Sequence, residues 1–393
     1  MTSIVFSNIG ELTTNDPSVG DGSVLGRIHD AALVIDDGYV VWAGATKDAP
    51  AADTEIDVEG VAIIPGFVDS HTHLVFAGER SEEFAARMVG EPYDGEGIMN
   101  TVTATRSAST DELRQSTQRR LDSLRANGVT TVEMKSGYEL TVEGEVRLSQ
   151  LAGEFTEETT FLGAHVVPAE YRQNRDAYVA LVAGEMLDQC APLVRWADVF
   201  CDQGAFSVEE ARHILTCAKE KGLELRLHGN QLGHTGGIGL AVELDAASVD
   251  HCTYASDADI EALSGSHTVA TLLPGAEFST KSDYPSGRVL LDAGVLVALA
   301  TDCNPGTSYV TNMSFIIAVA VREMGLSVDE ALYATTMGGA QAMRRSDIGH
   351  LRVGAKADLA ILNVPKAAHF AYQPGASLVQ AVHRGGESPA FWG

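Results

Sequence analysis

His71-Thr72-His73 is the first stretch of the chain whose residue types and spacing could do chemistry. Residues two apart on a β-strand point to the same face, so both imidazoles can reach one ion. A third imidazole at His228 and a carboxylate at Asp302 would complete an N/N/N/O donor set. Such a set suits zinc or iron, and no thiolate is placed to compete. The plainer alternative for His-x-His alone is a chance, exposed pair. His165 and His251 also follow apolar, β-rich stretches, and the plainer alternative for each is a satisfied core histidine. Lys135, in Met134-Lys135-Ser136-Gly137-Tyr138, and the run Phe200-Cys201-Asp202 are not read as bridges between two ions, so one ion is expected.

These groups meet only if the backbone between them brings them together. The chain repeats a loose unit of amphipathic helix, glycine stop and short strand. Thr110 is a candidate N-cap, Leu113, Thr117, Leu121 and Leu124 share a face, Gly128 ends the helix, and Val129 to Val132 reads as a strand. Ser207 and Glu210 form a capping-box pair ahead of Ala211, Ile214, Leu215 and Ala218, with Gly222 as the stop before Leu223 to Leu227. A third unit runs from Arg288 through Gly294 to Ala300. Strands of this type are expected near 62–69, 129–134, 159–164, 197–201, 223–227, 247–250, 268–273 and 295–300. Eight strands alternating with helices predict an α/β fold, a TIM-like (β/α)8 barrel, whose functional groups sit where strands end. A doubly wound sheet is the rival, but no Gly-x-Gly-x-x-Gly follows a strand.

The chain ends read as short alternating strands, with Asp37-Gly38 as a hairpin signal. Neither end could bury a core alone. Together, residues 1–60 and 346–393 are expected to form a small β-sandwich domain, with the barrel at 61–345 inserted between them.

The 393 residues carry 27 basic and 54 acidic side chains, a net charge of −27, with 45% hydrophobic residues. That excess of acid argues against nucleic acid and anionic membrane surfaces as partners. A small-molecule substrate is expected instead. Five cysteines without a C-x-x-C pair suit reduced thiols and a cytoplasmic location. No signal peptide is read, and apolar runs such as Phe315 to Val321 are too short to span a membrane.

Pro65-Gly66-Phe67-Val68-Asp69-Ser70-His71-Thr72-His73 resembles the signature of the amidohydrolase superfamily. Glu133 to Tyr138, Thr160 to His165, Asp198 to Cys201 and Thr301 to Thr307 resemble the imidazolonepropionase family, which opens the imidazolone ring in histidine degradation. The resemblance runs from about residue 60 to residue 365. It implies one zinc or iron ion on His71, His73, His228 and Asp302. It implies substrate contacts at Arg80, Tyr138, His165, Asn304, Gly306 and Thr307, with Tyr93 also lining the pocket, and a homodimer. The family's substrate carries a propionate tail, which a guanidinium fork at Arg80 suits. The plainer alternative for Arg80 is a surface ion pair with Glu79, Glu82 or Glu83. In the implied mechanism Asp302 takes a proton from water, and Asp302 or His251 returns one to the leaving nitrogen.

The chain departs from the family's pattern at Gln231, where a glutamate often stands. Gln231 can recognise the ring by hydrogen bonds but cannot carry a proton at neutral pH. The stretch Tyr93 to Ile98 is also shorter and less glycine-rich than the resemblance leads one to expect. Two rivals remain: a ring deaminase on the same barrel, and a metal-binding barrel without catalysis.

Overall fold

The computed structural model describes residues 3–90, 97–385 and 390–391. We number the barrel strands β1 (Phe67–Asp69), β2 (Val129–Val132, resumed at Met134–Lys135), β3 (Thr159–Ala164), β4 (Trp196–Cys201), β5 (Glu224–Gly229), β6 (Ser248–His251), β7 (Val269–Leu272) and β8 (Val297–Leu299). The first strand differs from its expectation. Residues 62–69 split into Ala62–Pro65, which joins another sheet, and β1. Pro65, which has no N–H to donate, and Gly66 stand at the break.

The chain divides into two compact units. One comprises Met1–Asp69, Asp122–Thr131 and Thr311–Gly393, and the other Ser70–Leu121 and Val132–Val310. In the second unit, the resumed part of β2 through β8 forms one seven-stranded parallel sheet, each strand beside its sequence neighbour. The extended stretch at 71–73 closes it. Thr72 forms a parallel bridge with Cys303, and its carbonyl accepts the Lys135 N–H at 3.1 Å. His73 N donates to Cys303 O and Asp302 N to His71 O, both at 3.0 Å. The ring thus runs from the first ligand-bearing segment round to the last. Helices such as Val142–Gly153, Val208–Glu220 and Asp257–Ser264 separate the strands, giving the TIM-like α/β architecture.

Local capping chemistry sets the helix starts. Both bonds of the Ser207–Glu210 box are made, and Ser256–Asp259 repeats the device. The helix Thr110–Ala126 begins one residue differently from its expectation. Ser109, not Thr110, is the cap, since its hydroxyl accepts the Glu112 N–H at 3.3 Å while Glu112 accepts the Ser109 N–H at 2.8 Å.

In the first unit both chain ends share one eight-stranded sheet. Ala62–Pro65 joins the ends, pairing antiparallel with Leu359–Leu362 and parallel with Ile4–Thr13. Ile4–Thr13 serves two neighbours on one side, Thr54–Asp57 along its first half and Ala62–Pro65 along its second. Phe6, Leu12, Leu33, Ile35, Leu359 and Ile361 pack one buried core, while Ala32 and Val34 pack against Trp42 on the other face. Asp37 and Gly38 have φ of 49° and 81°, as a two-residue type I′ hairpin requires, and Asp36 pairs with Tyr39 across it.

Phe315 to Val321 lies within the helix Met313–Glu323. No helix among the described residues is long and apolar enough to cross a membrane. None of the five cysteines forms a disulfide, and burial pushes the Cys190 and Cys201 thiols up to about 12.

Candidate active site

Parallel strands buried on both faces leave few places for a charge, so an acid inside one demands a partner. Asp198 sits within β4 and Asp250 within β6, both fully enclosed. Asp250 Oδ2 lies 2.7 Å from His71 Nδ1, and Asp198 Oδ1 lies 3.0 Å from His228 Nδ1. A carboxylate there keeps the proton on Nδ1 and leaves Nε2 as a bare lone pair. Asp198 is itself held by the Lys135 ammonium at 2.8 Å, and Lys135 by Glu133 at 3.0 Å. Glu133 accepts the Thr72 N–H at 3.0 Å, so the network returns to the segment between the first two histidines. Burial raises the Asp198 carboxyl, but His228 and Lys135 outweigh it and hold the group well below the usual carboxylate range.

The bare lone pairs converge. His71 Nε2 and His73 Nε2 each lie 3.6 Å from Asp302 Oδ1, and His73 Nε2 lies 3.4 Å from His228 Nε2. A tetrahedron with Zn–N bonds of about 2.0–2.1 Å has edges of about 3.3–3.4 Å. His71 Nε2 is fully buried with no hydrogen-bond partner among the described residues. A lone pair kept there at the cost of desolvation fits a metal ion beside His71, His73 and Asp302, whose donor atoms all lie within 4.8 Å of one another. A second grouping, His71, His228 and His251, also brings one donor atom from each residue within 4.8 Å of the others.

Burial sets the protonation of the cluster. His71, His73 and His251 are pushed far below the ordinary imidazole value by desolvation, with neighbouring positive groups adding to it, so each is neutral near pH 7. His165 falls to about 3 for the same first reason. Its Nδ1 lies 2.9 Å from the Gly137 carbonyl, which can only accept. Nδ1 therefore carries the hydrogen, and Nε2 offers a lone pair. This tautomer makes Nε2 an acceptor. Burial pushes the Asp302 carboxyl well above its usual range.

A cavity of about 560 Å³ opens over the cluster. Its wall includes His73, His228, His251 and Asp302 beside Tyr138 and His165. Arg80, Gln231, Asn304 and Thr307 also face it, as do the hydrophobic Ile98, Met99 and Phe200. His71 lies beneath the wall, fully buried. Gly306 is off the lining, but a Cβ there would meet Arg80 Nη1 at 2.2 Å, so only glycine lets that guanidinium come so near. Asn304 organises its own loop: Oδ1 accepts the Gly306 and Thr307 N–H groups, each at 2.8 Å, and Nδ2 donates to Asp302 O at 2.7 Å. Arg80 is forked onto Glu83 at 2.6 and 2.7 Å while it lines the cavity. Tyr93 lies outside the described residues.

The loop bearing Tyr138 has its own support. Glu145 is buried in the helix Val142–Gly153 and accepts the N–H groups of Gly137, Glu139 and Leu140 at 2.7–3.0 Å. Sequence reasoning passed over Glu145, Asp198 and Asp250. The available signal was an acid inside a strand pattern otherwise apolar on both faces, as in Asp198-Val199-Phe200 and Val249-Asp250-His251.

A model of the amidohydrolase family matches residues 79–385. An imidazolonepropionase of Mycolicibacterium smegmatis is 59% identical over 387 residues, covering 98% of each chain. One from Salinispora arenicola is 58% identical over 388 residues, again 98% of each. The chain belongs to the imidazolonepropionase family of amidohydrolases. Solved amidohydrolase-type structures share its fold. An adenosine deaminase from Xanthomonas campestris with bound zinc aligns with a TM-score of 0.73 at 19% identity, covering 98% of this chain and 92% of that one. A guanine deaminase from C. acetobutylicum aligns with a TM-score of 0.72 at 16% identity, covering 98% and 99%. In this imidazolonepropionase-family barrel, the buried His/Asp cluster is built to take a metal ion. Gln231 stands on the cavity wall three residues beyond His228.

Proposed function

We propose that the chain hydrolyses the ring C–N amide bond of 4-imidazolone-5-propanoate to N-formimidoyl-L-glutamate, a cyclic amide hydrolysis in histidine degradation. Its full-length identity to imidazolonepropionases carries this reading. One zinc or iron ion, held by His71, His73, His228 and Asp302, would supply Lewis acidity, making water acidic enough to lose a proton near neutral pH and drawing charge from the ring carbonyl oxygen.

The chain's own residues do the rest. Asp302, beside the ion, accepts the proton from the attacking water. The water oxygen bonds to the carbonyl carbon. His251 is neutral, so it stabilises the developing oxyanion by donating an N–H rather than by releasing a proton. Asp302 then returns its proton to the ring nitrogen as the C–N bond breaks. The added oxygen keeps the second water proton until the new acid ionises and releases it, which leaves the carbonyl carbon as a carboxylate and the nitrogen as part of the formimidoyl group. His165 Nε2 accepts a ring N–H, and Gln231 hydrogen-bonds the ring's amide edge. Arg80 and Tyr138 hold the propionate, while Asn304, Gly306 and Thr307 shape the loop beside it. Tyr93 is assigned a substrate contact on the family resemblance alone. The same reading has the enzyme in the cytoplasm as a homodimer, which sedimentation would test.

The deciding experiment is incubation with freshly made imidazolonepropionate and detection of formiminoglutamate. Ammonia release from a ring amine with no turnover of imidazolonepropionate would favour a deaminase instead.

A further inference from the structure

His71 and His228 have their rings fixed by carboxylates, but His251 does not. Among the described residues no side-chain hydrogen bond holds the His251 ring, and its buried Nδ1 has no partner. Its direction must therefore come from the backbone, and that backbone is unusual. His251 and Cys252 are consecutive non-glycine residues at φ of 78° and 56°, in the left-handed region. Each such residue is strained and persists only where its surroundings over-determine it.

Two attachments flank the turn. From β5, Gly229 O accepts the Cys252 N–H at 3.2 Å, and Asn230 is bound to the Tyr254 backbone at both its carbonyl, 2.9 Å, and its side-chain amide, 3.0 Å. From the helix Pro274–Thr280 after β7, Glu277 reaches back and accepts the Thr253 hydroxyl at 2.7 Å. Glu277 is only 2% exposed, and its other oxygen has no partner among the described residues. A carboxyl buried for one hydrogen bond needs a reason, and the strained turn supplies it.

We infer that Glu277 is a positioning residue: through Thr253 it holds the left-handed His251–Cys252 turn and so aims the His251 ring into the cavity. This rests on the part given to His251 under the proposed function. The Glu277 carboxyl touches neither substrate nor ion in this scheme. It acts only by accepting one hydrogen bond, so any acceptor of the same shape should serve.

The test uses the metal-loaded enzyme and variants at both ends of the bond, with His251→Asn as reference. Thr253→Val, equal in size but without the hydroxyl, should lower kcat about tenfold or more, the scale on which misplacing a reacting group acts. KM should stay within about twofold and bound metal should be unchanged. Glu277→Leu should do the same, while Thr253→Ser and Glu277→Gln should stay near wild type because the bond survives in each. If Glu277→Leu does not fold, Thr253→Val decides the matter. Combined with His251→Asn, Thr253→Val should add little, because both act through one ring. The inference is overturned if Thr253→Val keeps wild-type kcat, or if its loss multiplies in full on the His251→Asn background. A silent His251→Asn would remove the His251 role itself and this inference with it. An impaired His251→Asn beside a silent Thr253→Val would remove the inference alone.

Discussion

The terminal sheet and the barrel interior solve burial in opposite ways. In the sheet, alternation suffices: Leu33 and Ile35 face one core, Ala32 and Val34 the other face, and the hairpin at Asp37-Gly38 needs only two residues that accept positive φ. In the barrel, charged side chains are buried within strands or at the break in one. Glu133, Lys135, Asp198 and Asp250 are each at most 1% exposed. Such groups destabilise a fold unless each is paired, so their arrangement answers to a cost that apolar packing never meets. The sheet is specified by hydrophobicity, and the barrel centre by electrostatic complementarity around a donor cluster.

The largest effect should come from the donors. His71→Ala, His73→Ala, His228→Ala or Asp302→Ala should each lose bound metal or at least about 10³-fold in turnover, since Lewis-acid chemistry has no substitute here. Metal analysis beside a rate assay checks this, and two variants with full metal and normal rates would break the site assignment.

The contrast itself is tested by Lys135→Met against Leu33→Ala. Removing the Lys135 ammonium leaves Glu133 and Asp198 buried without their cation, and should cost about 3–5 kcal/mol together with metal affinity. Leu33→Ala should cost a similar 2–5 kcal/mol through cavity formation but leave metal content and kcat of the folded enzyme unchanged. Denaturant melts with metal analysis separate the two, and equal loss of metal in both would erase the distinction.

Next in size is Arg80→Met, expected to weaken the propionate substrate by about 1.5–3 kcal/mol, the range for hydrogen bonds to a charged group. An analogue without the carboxylate should be indifferent to it. Equal losses on both would make Arg80 a structural residue, paired with Glu83 among others.

A smaller effect should appear in the pH dependence of stability. Burial raises the Glu277 carboxyl from 4.5 to about 7. The folded state then binds that proton more tightly than the unfolded chain does. Its contribution to stability is full below about pH 4.5, declines as pH rises, and is lost above about pH 7. Glu277→Gln, which cannot ionise, should flatten that slope and gain about 3 kcal/mol over wild type at pH 8. Parallel thermal melts at pH 5 and pH 8 would show the crossover or its absence.

The smallest change expected is Gln231→Glu, with kcat altered by less than about threefold if Asp302 moves the protons. A large gain in rate would mean that proton transfer waits on the missing glutamate.

Much of this was legible in the residues, because the signals are local. Strand periods of two, the Ser207–Glu210 box and the Asp37-Gly38 turn depend on contacts within a few positions, and the backbone obeys them wherever they occur. Errors stayed local too: the cap fell on Ser109 rather than Thr110, and Ala62–Pro65 left the barrel strand for the terminal sheet.

By itself, the sequence determined the element types, the eight-strand rhythm and the placing of five histidines at strand ends or just beyond, since these follow from side-chain periodicity and turn chemistry. The tertiary structure alone decided which buried acid serves which histidine. His71 and Asp250 are 179 positions apart and His228 and Asp198 are 30 apart, and nothing in either neighbourhood encodes the match. It also set the tautomer of His165 through Gly137 O, and the turn at His251 through Glu277. Closing the sheet into a ring brings strand ends from distant parts of the chain to one face, and there desolvation makes every charge and lone pair depend on a partner that sequence spacing cannot reveal.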